Sequence, residues 1–225
     1  MTKTSYDFDE GEVLLINKPY EWTSFDVVKK LKYALKIKKI GHAGTLDPLA
    51  TGLLILCTGK LTKKIESFQN QEKEYEGVMV LGKTTPSIDL ETSFDSETDI
   101  SHVTIGEVID NAKKFLGEIS QIPPQYSAIK VAGERVYKKA RKGVQVPIKA
   151  RNVTINTFAI TKVELPEVHF KIICSKGTYI RSLVRDFGDN LKTGAYLKAL
   201  TRTRIGDFNL SQAHPPKEFI GRLNA

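Results

Sequence analysis

The stretch NVTINTFAITKVELPEVHFKIICSKGTYIRSLVRDFGDNL, residues 152–191, holds two strand-like runs close together and then one helical run. NVTINTFAI (152–160) and EVHFKIICS (167–175) are rich in β-branched and aromatic residues that alternate with polar ones, the pattern of half-buried strands. So few residues separate them that they pair as an antiparallel hairpin. The Lys176–Gly177 turn ends the second strand, and TYIRSLVRDFGDNL follows as an amphipathic helix. This arrangement predicts an α+β fold, a mixed and largely antiparallel central sheet flanked by helices and loops, over a doubly wound parallel sheet.

Working outward, VLLINK (13–18) reads as a short buried strand ending at Pro19. Thr23 then opens a helix, with Asp26 three residues on as in a capping box, predicted to run to about Lys39. Val27, Val28, Leu31, Ala34 and Leu35 share its apolar face, while Lys29, Lys30, Lys32 and Lys36 point elsewhere. A glycine- and proline-punctuated loop is expected over 41–52, then the strand LLILC, a helix from about Leu61 to Gln69, and the strand YEGVMVLG at 75–82. LTRTRIGDFNL, in the tail, reads as one more strand.

The 225 residues are 40% hydrophobic, enough for one sizeable core or two closely packed subdomains. Thirty-four Lys and Arg against 26 Asp and Glu give a formal charge of +8, which favours a polyanionic partner, nucleic acid or an acidic membrane surface. MTKTSYDFDEGE, the opening, is polar and acidic, and no apolar run is long enough to span a bilayer, so a cytoplasmic protein is expected. Cys57 and Cys174 each lie inside an apolar run and read as buried reduced thiols. His42, His102, His169 and His214 show no metal-binding spacing, and no glycine pattern matches a phosphate loop; no metal or other cofactor is expected.

Two segments separate charge by sign. Residues 89–110 collect Asp89, Glu91, Asp95, Glu97, Asp99, Glu107 and Asp110, a run that would face away from phosphates, Asp89 excepted. Residues 121–151, bounded by prolines, interleave Tyr126 and Tyr137 with Lys130, Arg135, Lys138, Lys139 and Arg141. Such a mobile basic flap offers charge for phosphates and flat faces for stacking.

The chemistry centres on GHAGTLDPLATGLL, residues 41–54. Pro48 pushes Asp47 out of the α region, and Gly41, Gly44 and Gly52 let the chain turn tightly, so a carboxylate is held on a loop that a large ligand can reach. On these residues alone, an Asp before Pro is more often a turn former than a catalyst.

This segment resembles, almost residue for residue, the catalytic segment of the TruB family of pseudouridine synthases. INKPYEWTSFDVV (16–28) is similar to the family's KPxGxTS opening, IPPQYSAIKVAGERVYKKAR (122–141) to its thumb, and SKGTYIRSLVRDFG (175–188) to its tyrosine and arginine segment. The resemblance implies the pseudouridine synthase fold, a single catalytic domain over 1–225 with a basic thumb at about 121–151, and isomerisation of uridine 55 in the T-arm of tRNA without a cofactor. It further implies that Asp47 is the nucleophile, that Tyr75 stacks on the flipped base, and that Arg181 pairs with the aspartate. Tyr179 and Leu200 would line the pocket, His42 would enter the RNA loop, and Lys63 and Asp89 would be polar positions nearby. The set is chemically sensible, since a guanidinium keeps a carboxylate ionised and an unstacked base needs a flat apolar face to land on.

Two departures stand out. TPSID (85–89) replaces the family's TDTxD, and the chain reaches Ala225 soon after TRTRIGDFNLSQAHPP, so a short form without the family's C-terminal PUA domain is expected. No protein partner is expected, and the monomer is the default. A non-catalytic RNA-binding protein with the same pocket, or an aspartate-nucleophile hydrolase of small molecules, are the other readings; the first leaves the intact reactive residues unexplained and the second the basic flap.

Overall fold

The computed structural model describes residues 6–131 and 133–224. The first five residues of the acidic opening, Ala132 of the thumb segment and Ala225 lie outside the described residues. The chain runs β1 (Val13–Lys18), α1 (Ser24–Ala34), β2 (Ile40–Ala43), β3 (Thr51–Thr58), a 3-10 segment (Gly59–Lys64), α2 (Ile65–Gln69) and β4 (Lys73–Leu81). It continues through β5 (Lys83–Thr84), β6 (Ser96–Glu97), α3 (Ile105–Lys113), β7 (Gly117–Gln121), β8 (Lys130–Val131), β9 (Glu134–Arg135) and α4 (Val136–Ala140). The remainder is β10 (Arg151–Glu164), β11 (Glu167–Cys174), α5 (Ile180–Asn190), β12 (Ala195–Ile205), β13 (Phe208–Asn209) and α6 (Pro216–Asn224). The expected α+β class holds. Two compact units emerge, Met1–Tyr75 with Leu200–Ala225, and Glu76–Ala199.

In the first unit β3 is the central strand. β1 pairs with it antiparallel, Leu14 opposite Leu56 and Ile16 opposite Leu54, and β2 is antiparallel to it as well. β12 joins it parallel at Thr201–Thr51 and Arg202–Gly52. Because β3 is covered on both faces, it is an unbroken apolar run rather than an alternating one. Leu54 and Leu56 pack with Leu14, Ile16, Val27, Val28, Leu31 and Phe219 on one side, and Leu53, Ile55 and Cys57 with Ala43 and Ile205 on the other. Truncating the wholly buried Leu31 to Ala would cost about 2–5 kcal/mol.

The second unit contains the expected hairpin: β10 and β11 pair antiparallel from Ile155–Cys174 to Glu164–Glu167, and β7 adds antiparallel to β10. Phe158, Phe170, Phe187 and Phe115 fill its core, ring centroids 5.6–6.1 Å apart in tilted, stacked and edge arrangements. α3 opens on a capping box between Thr104 and Glu107.

Several boundaries differ from expectation. α1 has the expected Thr23–Asp26 capping box but stops at Ala34, not Lys39. Lys36 takes φ 52°, and the Ile37 N–H donates to the Lys32 carbonyl, a Schellman-type end in which a lysine replaces the usual glycine. Ala34 is consequently exposed rather than on the buried face. The loop expected from residue 41 begins only after Ala43, since Gly41 and His42 pair with Cys57 and Leu56. The helix expected over 61–69 divides into the 3-10 segment and the five-residue α2. The tail strand begins earlier, at Ala195, and turns back at Gly206 (φ 52°) into β13. Cys57 and Cys174 are buried thiols, as expected. Among the described residues no helix is long and apolar enough to cross a membrane.

Candidate functional site

In the first unit, residues 44–50 leave β2 and return as β3, carrying Asp47. The Ala50 N–H donates to the Asp47 carbonyl at 3.1 Å, closing a turn with Pro48 in the position where its fixed φ fits. Leu46 and Ala50 are buried on either side of the half-buried Asp47, so the loop is pinned by its flanks.

Three side chains that the sequence reading assigned no role hold this loop. β1 alternates so that Leu14, Ile16 and Lys18 all face inward, and Lys18 is 0% exposed. Its ammonium donates to the carbonyls of Pro19 (3.0 Å), Trp22 (2.5 Å) and Pro48 (3.1 Å). Burial pushes the Lys18 amine down to about 8; the Asp47 carboxylate draws it up, and Arg202 presses it down again. Ser24, the first residue of α1, accepts from the Leu46 N–H at 2.9 Å, and its hydroxyl donates to the Leu46 carbonyl at 3.3 Å. Arg202, 1% exposed, donates from Nε to the Leu53 carbonyl at 2.8 Å and from Nη2 to the Gly44 carbonyl at 3.1 Å.

Two of the three attachments have a sequence signal. Lys18 continues the inward period of a buried strand, and Arg202 lies two residues beyond Leu200 on the same strand face, so both were cations obliged to find buried partners. Gly52, at φ 104°, allows β3 to lie against the Arg202 backbone: a Cβ there would stand 2.4 Å from the Arg202 carbonyl oxygen.

The other expected positions of this unit are placed as follows. His42 sits in β2 opposite Leu56, and burial, then the Arg202 charge, lower its pKa and favour the neutral ring. Tyr75 is buried in β4 and Leu200 in β12, where the Leu200 carbonyl accepts from the Thr51 hydroxyl at 3.4 Å. Lys63 is exposed in the 3-10 segment.

In the second unit Arg181 is 3% exposed, although an arginine on an amphipathic helix reads more simply as a surface charge. It donates from Nη1 to the Ser87 carbonyl (2.8 Å) and from Nη2 to the Tyr126 carbonyl (2.7 Å), and its Nε lies 3.6 Å from Asp89 Oδ2. Asp89 is buried, and its Oδ1 accepts from the Glu91 N–H. Tyr179 is the N-cap of α5; its N–H and carbonyl are bonded by the wholly buried Gln121, and Arg151 stacks over its ring at 4.6 Å. Arg181, Asp89 and the thumb backbone at Tyr126 are therefore one cluster. The thumb itself folds as the β8–β9 hairpin and α4, with Arg141 Nη2 2.6 Å from Glu91 Oε1. Lys130, Arg135, Lys138 and Arg141 stand in solvent, as do Glu91, Asp95, Glu97, Asp99, Glu107 and Asp110 of the acidic run.

The chain is similar to known proteins. Residues 32–180 match the family model described as TruB family pseudouridylate synthase (N terminal domain). The chain is 52% identical to tRNA pseudouridine synthase B of Flavobacterium johnsoniae, covering 93% of this chain and 95% of the relative. It is 50% identical to tRNA pseudouridine synthase B of Bacteroides fragilis, covering 95% and 94%. Among solved structures it resembles a chain of a Cbf5-Nop10-Gar1 complex, with 31% identity and a TM-score of 0.69 over 90% of this chain and 50% of that one. A chain of the archaeal box H/ACA sRNP Nop10-Cbf5 complex gives 25% identity and a TM-score of 0.70 over 95% and 54%. This chain thus spans about half the length of those two solved chains.

Proposed function

Because this chain belongs to the TruB family of pseudouridylate synthases, we propose that it converts uridine to pseudouridine in the T-arm of tRNA, at the position conventionally numbered 55, with the Asp47 carboxylate as the reacting group. The observation that carries this reading is the fastening of the Asp47 loop by Lys18, Ser24 and Arg202: three buried attachments to the backbone of Pro48, Leu46 and Gly44 hold the loop that carries one half-buried carboxylate. A turn former on a surface loop has no use for such a scaffold, whereas a nucleophile works only at a fixed place and angle.

The reaction breaks the bond from ribose C1′ to uracil N1 and forms one from C1′ to C5. C5 loses a proton and N1 gains one, so atoms and electrons balance within one nucleotide and no cofactor is called for. Asp47 attacks the ribose or the base, or removes a ribose proton. Tyr75 offers a ring for the displaced base, Leu200 and Tyr179 contribute apolar walls, and the neutral His42 enters the RNA loop. Arg181, by its match to the family's arginine, keeps the reacting carboxylate ionised; with Asp89 it also fixes the base of the thumb, whose exposed cations meet phosphates, and Lys63 adds a further cation. The protein acts in the cytoplasm.

Incubation with an unmodified tRNA transcript, followed by carbodiimide mapping, tests this. Pseudouridine at position 55 is expected. Modification confined to another arm, or to ribosomal RNA, would contradict it.

A further inference from the structure

The inner face of α1 is fully used: Val27, Val28 and Leu31 are buried against β1 and β3. Its outer face is not. Phe25 is 68% exposed and Tyr33 72%, and neither belongs to the core. A single exposed aromatic is ordinary, but these two form a pattern with Lys29. Phe25, Lys29 and Tyr33 recur every four residues, so they form one slowly turning stripe about 12 Å long at a rise of about 1.5 Å per residue. Trp22, Asp26, Lys29, Lys30 and Tyr33 line a groove beside it.

Charge along this face is graded. Its acids, Glu21 and Asp26, lie at the N-terminal end, and the Asp26 carboxylate is engaged by the N–H and hydroxyl of Thr23. From Val27 to Lys39 there is no acid, and Lys29, Lys30, Lys32 and Lys36 are all exposed. The stripe also starts at a telling place. Ser24, next to Phe25, is the residue bonded to both backbone groups of Leu46, one position before Asp47.

We propose that this outer face of α1 is a second RNA-binding surface, on which bases stack against Phe25 and Tyr33 while Lys29 and Lys30 hold phosphates beside them. The inference rests on the proposed action on tRNA: an RNA whose target base reaches Asp47 continues from the Ser24 end of α1 along the helix. At about 3.4 Å per phosphate along one strand, the stripe spans three or four nucleotides. Aromatic rings interleaved with exposed lysines form the usual platform for a single strand. The run of lysines without acids favours RNA over a protein partner, whose interface core would be depleted in charge.

Two double variants of the full-length chain, Phe25→Ala with Tyr33→Ala and Lys29→Gln with Lys30→Gln, separate stacking from charge, and all four side chains are exposed, so the fold should persist. Against a full-length tRNA transcript, the aromatic double should raise Kd at least about tenfold, the loss falling on KM rather than kcat, with the salt dependence kept. The lysine double should reduce the slope of log affinity against log salt by roughly 0.7–0.9 for each phosphate that the protein no longer neutralises. Phe25→Trp with Tyr33→Trp, which keeps flat faces, should bind within a few fold of wild type. Unchanged Kd and slope in both doubles would overturn the proposal, as would a benzophenone side chain at position 33 that captures protein but no tRNA. Wild-type conversion, measured on the same transcript, stands apart: wild type that binds tRNA without isomerising it defeats the proposed function and not this surface.

Discussion

The ammonium of Lys18 donates a hydrogen bond to the carbonyl of Pro48, 3.1 Å away, and so grips the loop one residue beyond Asp47. The grip is three-pronged, because the same nitrogen also serves the Pro19 and Trp22 carbonyls. Lys18→Met keeps most of the volume but strands three carbonyls. Stability should fall by roughly 2–4 kcal/mol, the cost of leaving buried acceptors without donors offset by removal of a buried charge. Turnover should fall at least about tenfold while tRNA affinity changes little. Denaturant unfolding beside single-turnover assays would show it; full turnover by Lys18→Met would mean that the grip does not position Asp47.

Lys18 also gives stability a pH dependence. Its amine titrates near 10.5 in the unfolded chain and at about 8 in the folded one, where burial outweighs the attraction of Asp47. Between those values the unfolded chain binds the extra proton, so this group's contribution rises with pH and is lost as pH falls through about 8. The stability of wild type minus that of Lys18→Met should climb from pH 8 to 10.5 at up to about 1.4 kcal/mol per unit. A flat difference would show that three carbonyls hold the amine charged throughout.

Gly52→Ala tests the other side of the loop. The new Cβ would meet the Arg202 carbonyl oxygen at 2.4 Å on a backbone at φ 104°, where a side chain is strained whatever the space. The cost should exceed about 2 kcal/mol, and the shift should loosen the Arg202 hydrogen bonds to Leu53 and Gly44. A variant as stable as wild type would show that β12 can slide along β3 at little cost.

Much of this was legible beforehand, for local reasons. The β10–β11 hairpin, β1 and the Thr23–Asp26 cap follow from period-two patterning and a side-chain-to-backbone bond three residues away, both short-range effects. The end of α1 was not legible, because Lys36 rather than Gly occupies the left-handed position that closes it. α3 went unforeseen although Thr104 and Glu107 spell the same capping box as Thr23 and Asp26, its apolar residues being diluted by the acidic run. α6 was also missed, where the signal was Pro216 at a first helical position. Asp47 was found by resemblance. The residues that hold its loop were not, because their inward placement does not say which backbone groups they meet: Lys18 reaches Pro48 from 30 residues away and Arg202 reaches Gly44 from 158.

Asp47→Asn tests the central claim most directly, because asparagine keeps the size and turn propensity of the residue and removes only its charge and nucleophilicity. Turnover and tRNA affinity are measured side by side on the unmodified transcript, with the unfolding midpoint checked against wild type. Pseudouridine formation should fall below detection while Kd stays within a few fold, since binding rests on phosphates and stacking rather than on the carboxylate. Substantial turnover by Asp47→Asn would contradict the assignment and leave Asp47 as no more than the first residue of a turn.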